Sequence, residues 1–203
     1  MSVVDGGSSG LVQRVQDILL KPGATWDKID GEPATIKGLY TGYVCILAAI
    51  GPICSFLGSF LFGGMLFAPF TLVGAIVGYL LTLVAVYVMA LVIDALAPSF
   101  GGEKNPIQAF KVSAYSGTAT WLAGVFNLIP MLAILGIVGL YSLYLLYKGL
   151  PKLMKVSPDK AIGYTVVVVV LMIVVYVIIG AIVGSIAVMG AVGAAGVGAM
   201  AYP

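Results

Sequence analysis

Two ionisable residues fall where ionisable residues are expensive. Asp94 is the one carboxylate placed inside a predicted membrane span, about one turn from its end. Lys111 sits at comparable depth in the first turns of the next span. Charged groups inside a bilayer are costly and usually paired, so Asp94 and Lys111 are predicted to form an intramembrane ion pair. The competing reading makes Asp94 a proton or cation site. Beyond Lys111 runs a polar stripe. Ser113, Ser116, Gly117, Thr120, Gly124 and Asn127 recur at three- to four-residue spacing on the least apolar span. Small and hydroxylated residues let helices approach closely and hydrogen-bond across the contact. The same residues could instead line a hydrated path. A third group, Trp26, Tyr141, Tyr144, Tyr147 and Lys148, has the chemistry of lipid-headgroup contacts, with aromatic rings and a cation at the membrane edge.

Other chemistries are disfavoured. The segment Gly6-Gly7-Ser8-Ser9-Gly10 matches G-x-S-x-G, but a nucleophile of that kind needs a histidine partner, and the chain has no histidine. With two cysteines and no histidine, a zinc site of the usual ligands is not expected. Cys45 and Cys54 share one predicted helix at a rise of about 13.5 Å, too far for a disulfide, which needs Cα atoms within about 7 Å. They read as small packing residues. No cofactor, metal site or catalytic residue is predicted.

The elements that position these residues follow from charge. Of 203 residues only ten are Lys or Arg and eight Asp or Glu, and 61% are apolar; a soluble domain carries roughly 25% charged residues. That excludes soluble and disordered classes, and a net charge of +2 gives no basic footprint for nucleic acid. The lipid bilayer is the remaining solvent. Uncharged runs at Gly38 to Ile93, Val112 to Tyr147 and Ala161 to Pro203 predict an all-α polytopic membrane bundle. Five transmembrane helices are expected at about 37–60, 71–97, 106–127, 130–149 and 158–188. Turns are expected at Gly63-Gly64 through Pro69 and at Asn127 to Pro130, since glycine and proline punctuate helices. Asn105-Pro106 and Ser157-Pro158 read as helix starts, with Gln108 placed as a capping-box residue. Gly149 with Pro151 reads as a stop, and Pro52 as a kink in the first span. The fifth helix, at about 46 Å, exceeds a hydrocarbon layer of about 30 Å and should protrude or tilt.

Before the first span, residues 1–10 read as a flexible N-terminus and 11–36 as a cytosolic or interfacial amphipathic segment. Leu11, Val15, Ile18 and Leu19 share one face of a short helix that Pro22 ends, fit to lie on the membrane or to dock a soluble partner. Residues 37–190 form the transmembrane domain, and 191–203 a glycine- and alanine-rich tail. Every basic residue lies before span one or in the second and fourth loops. The positive-inside rule therefore predicts a cytoplasmic N-terminus and an outside C-terminus, with no cleaved signal peptide. Gly38/Gly42, Gly74/Gly78 and Gly180/Gly184 match G-x-x-x-G and fit close helix packing or a homo-oligomer.

Several stretches resemble one family. Phe100-Gly101-Gly102, then Ala114-Tyr115-Ser116 through Trp121-Leu122-Ala123-Gly124, then Tyr141 to Met154 (YSLYLLYKGLPKLM), then Lys160-Ala161 and Tyr164, are similar in order and spacing to the Yip-domain (Ypt-interacting protein) membrane family. Pro22, Trp26 and Ile29 resemble the upstream pattern of prokaryotic-type members. Relatives often carry a proline near the position of Ala119. The resemblance, over about residues 11–190, implies a five-helix bundle with a cytosolic N-terminus. It also implies a non-catalytic scaffold that organises membranes or partners, as eukaryotic relatives do in membrane traffic by binding small GTPases and one another. The alternative is a small channel or transporter with a path along the third helix and Asp94.

Overall fold

The computed structural model describes residues 7–63 and 68–201. Among them the chain is helical between short turns, with no strand. Two N-terminal helices, α1 (Gly7–Leu20) and α2 (Pro22–Gly31), form a hairpin. Five longer rods follow: α3 (36–63), α4 (Ala68–Leu96), α5 (106–128), α6 (130–153) and α7 (Pro158–Ala201). This is an all-α polytopic bundle. The first six residues of the expected flexible N-terminus, and residues 64–67 of the first expected turn, lie outside the described residues.

Sequence chemistry explains the irregularities of the rods. Pro52 has no N–H to offer the Ala48 carbonyl and its ring crowds it; α3 breaks there, with Ala48 ending one helical piece and Ile50 starting the next. Tyr40–Val44 forms a π-turn just before. Asn105 caps α5, its Oδ1 accepting from the Gln108 N–H at 3.2 Å. The Gln108 side chain does not complete a capping box; it donates to the backbone carbonyl and Oδ1 of Asp30. α6 opens as a tight 3-10 helix, Pro130–Leu140, and continues as an α-helix to Leu153. It runs through Gly149 and Pro151, which were expected to stop it. α7 likewise continues through the glycine- and alanine-rich residues expected to form a tail.

Four rods contain segments long and apolar enough to cross a membrane: Ile36–Phe62, Phe70–Phe100, Met131–Leu153 and Pro158–Met189. The expected five rods are all present; four meet that length and apolarity on their own, and the fifth, α5, is of different character. Much of α5 is walled in by protein. Ala109, Phe110, Val112, Ala114, Tyr115, Ala119 and Trp121 are all buried, against α1, α3, α4 and α6. A helix that faces neighbouring helices rather than lipid needs no apolar exterior, which is why α5 is the least apolar. α7 is the reverse, with a mean hydropathy of 3.4 and a mostly exposed surface. Exposed apolar side chains on α4 run from Phe70 to Leu91, about 32 Å at 1.5 Å per residue, close to a hydrocarbon layer.

The hairpin corrects a second expectation. Leu11, Val15, Ile18 and Leu19 do share a face, but that face packs on the bundle, with Ile18 fully buried. It is therefore not free to lie on lipid or to dock a soluble partner. Pro22 does not merely end α1; it opens α2 from the first helical turn, where its missing N–H costs nothing.

Candidate functional site

The polar stripe on α5 is a set of helix contacts. Ser113 Oγ donates to the Val86 carbonyl on α4 at 2.7 Å. Thr120 Oγ1 donates to the Gly139 carbonyl on α6 and lies 2.9 Å from Ser142 Oγ, which also accepts from the Thr120 N–H. Ser116 bonds back to the Ser113 carbonyl. Gly117 lies under the Trp121 ring, and Gly124 meets Gly51 of α3 so closely that a Cβ there would stand 2.6 Å from the Gly51 Cα. Ser113, Ser116, Gly117 and Thr120 line a cavity of about 40 Å³ with Ser142. Asn127 lines a different cavity, about 360 Å³, between α3, α4 and α7. The six residues therefore divide among different partners and two separate cavities.

Thr118, which the stripe did not include, makes another tie. Its hydroxyl donates to the Tyr115 carbonyl and so accepts from Tyr43 on α3 at 2.6 Å, with all three residues buried. Nothing in the sequence pairs Tyr43 with Thr118 across 75 residues; only the buried tyrosine's need for a partner points that way.

Asp94 and Lys111 do not meet. Lys111 is buried, and its ammonium donates to the carbonyls of Ile29 (2.8 Å) and Glu32 (2.6 Å), at and just after the end of α2. Those carbonyls are the negative end of a helix, where a cation is favoured. Lys111 lies outside the four candidate spans; burial lowers its pKa, while the carboxylates of Glu32 and Asp30 oppose that. Asp94 lies instead within electrostatic reach of Tyr164 on α7. Its Oδ1 is buried with no hydrogen-bond partner, and the Tyr164 hydroxyl donates to the neighbouring Ile93 carbonyl. Lys111 was turned away because α2, an element the sequence did not announce, offers it two carbonyls.

The expected headgroup residues separate too. Trp26 is fully buried, edge-on to Tyr115 at 6.2 Å and pressed against Gly149, so it is not at the headgroups. Tyr141 ties α6 to α1, its hydroxyl donating to the Leu19 carbonyl at 2.9 Å. Tyr144 and Tyr147 remain exposed, with the Lys148 ammonium 5.6 and 5.9 Å from their ring centres. Around them the hairpin is clamped by charge. The Arg14 guanidinium bonds both Glu32 oxygens at 2.7 Å and stands over the Tyr115 ring. Lys152 pairs with Asp27, and Lys155 with Asp30. Among the described residues no group of three or more His, Cys, Asp or Glu could hold a metal, and Cys45 and Cys54 are free.

The stretches that carry the sequence resemblance are structural joints. Gly101 has φ +74°, a left-handed turn that favours glycine. A Cβ on Gly102 would stand 2.5 Å from the Met154 carbonyl. Phe100 stacks on Tyr164 at 4.9 Å, and Leu145, Leu146, Leu150 and Leu153 on α6 are buried together with Met154 just after it. No curated protein and no solved structure matches the chain. The model of the Yip1 domain, however, matches residues 17–179. That range takes in the end of α1, the whole of α2 to α6 and most of the apolar length of α7, with every joint just described. On that extent of agreement, the chain belongs to the Yip1 domain family.

Proposed function

We propose that this Yip1-domain membrane protein is a non-catalytic scaffold that organises membrane or partners through helix packing and oligomerisation. The observation that carries the reading is the use made of α5. Its hydroxyls bind backbone carbonyls of neighbouring helices, and its glycines sit at the closest contacts. The basic hairpin and the turns at 97–105 and 154–157 belong on the cytoplasmic side by the positive-inside rule, which puts the C-terminus outside. A partner, whether a second copy, another membrane protein or a small GTPase as the family resemblance implies, would meet lipid-facing helices or the outer face of the hairpin. On α7, a Cβ at Gly180 or Gly184 would meet nothing within 4 Å, which leaves room for a helix of another copy to approach. Native mass spectrometry of the full chain in mild detergent tests this: a stable oligomer is expected, and a monomer that persists from detergent into nanodiscs would overturn it.

One observation favours the alternative of a channel or transporter. Asp94 Oδ1 is buried with no partner, and intramembrane ionisable groups often mark ion paths. The cavity along the α5 stripe, at about 40 Å³, is closer to the size of a water or two than to a continuous path.

A further inference from the structure

We propose that the α1–α2 corner at Leu20-Lys21 and the Tyr144–Lys148 face of α6 together bind the phosphate headgroup of an anionic phospholipid. Charge pairing at this end of the bundle, taken with the aromatic and apolar surroundings, points to the place. Arg14, Lys152 and Lys155 are each paired with a carboxylate, and Lys111 is bonded to carbonyls. Among the described residues the ammonium groups of Lys21 and Lys148, like those of Lys28, Lys37, Lys104 and Lys160, have no hydrogen bond or ion pair; of these, Lys148 stands over the faces of Tyr144 and Tyr147.

The two lysines are brought to one corner by a chain of contacts. Lys21 lies two residues after Leu19, whose carbonyl is held by the Tyr141 hydroxyl. The Tyr141 ring lies 5.3 Å from Tyr144, and Lys148 stands over Tyr144. One turn further along α6, Lys152 fixes the start of α2 by donating to the Gly23 carbonyl.

The surroundings specify the occupant. Tyr147 is the last exposed large apolar residue of α6, so Lys148 lies where its apolar surface ends. Leu20, beside Lys21, is 78% exposed. Unneutralised ammonium groups call for an anion, and tyrosine rings with a bare leucine beside them suit an acyl chain and its glycerol. A molecule with both properties is an anionic phospholipid. A zwitterionic lipid brings its own cation to the phosphate and gains less. The proposal rests on the scaffold reading only for which leaflet is meant; a monomeric or conducting protein would sink that reading and leave the lipid site standing.

The test is lipid retention by the full-length protein, purified from vesicles of equal phosphatidylglycerol and phosphatidylcholine and read by native mass spectrometry. Wild type should retain phosphatidylglycerol in preference. Lys21→Gln and Lys148→Gln should each weaken retention about five-fold, and together about 25-fold. Lys21→Arg with Lys148→Arg should preserve it, as should Lys104→Gln, which removes an exposed lysine elsewhere at the basic end. Equal retention of the two lipids by wild type would overturn the proposal, as would no loss in the double glutamine variant or an equal loss in Lys104→Gln. So would an acidic peptide that competes for the same two lysines without lipid.

Discussion

Gly124 and Gly51 show what a single residue does in this bundle. Their backbones touch across α3 and α5, so a methyl at Gly124 would meet backbone rather than a movable side chain. Gly124→Ala is expected to lower stability by about 1–3 kcal/mol, read as an earlier unfolding midpoint in detergent. Thr120→Val, which removes the hydroxyl that bonds Gly139 and Ser142, should cost only about 0.6 kcal/mol, since hydrogen bonds between membrane helices are individually weak. Lys111→Met should cost about 1.5–3 kcal/mol, the range for hydrogen bonds to charged groups. Because Lys111 bonds the end of α2 rather than Asp94, a double-mutant cycle between Asp94→Asn and Lys111→Met should show coupling below about 0.5 kcal/mol. Coupling well above that would restore the ion pair. The stripe itself was legible, because hydroxyls and glycines at helical spacing mark one face. Which helix each residue would touch was not, since that depends on how the rods are arranged around α5.

At the scale of elements, the two hydrophobic signals in this chain mean different things. High hydropathy located α3, α4, α6 and α7, because these helices expose apolar side chains from one end of the belt to the other. α5, the least apolar rod, is the one buried over much of its length against neighbouring helices. The caps were legible too: Asn105 holds the Gln108 N–H as its type predicts. The hairpin was only half legible. Its apolar face was evident in Leu11, Val15, Ile18 and Leu19, but a stripe of that width fits lipid, a partner or the chain's own bundle equally well. Contacts from distant positions decide it, among them Arg14 to Glu32, Trp26 to Gly149 and Tyr141 to Leu19. The packing predicts that α1 and α2 keep slow hydrogen exchange in detergent with no bilayer present. Exchange as fast as an unfolded segment's in detergent, slowed only on vesicles, would show that the membrane holds the hairpin. Ile18→Asp, which buries a carboxylate at a fully enclosed position, should abolish that protection.

For the whole molecule, scarcity of charge decides both place and shape. Eighteen charged residues leave no solvent but lipid for the rods, and the cations gather at one end. There four of them clamp the hairpin and others, Lys21 and Lys148 among them, remain unneutralised. The rods are joined by hydroxyl-to-carbonyl bonds and glycine contacts, and the central claim is that this polar chemistry serves packing rather than passage. Ion and small-solute flux in proteoliposomes, comparing wild type with Asp94→Asn, tests that claim most directly. No flux above empty vesicles is predicted for either protein; flux through wild type that falls with Asp94→Asn would contradict the scaffold and establish a conducting path.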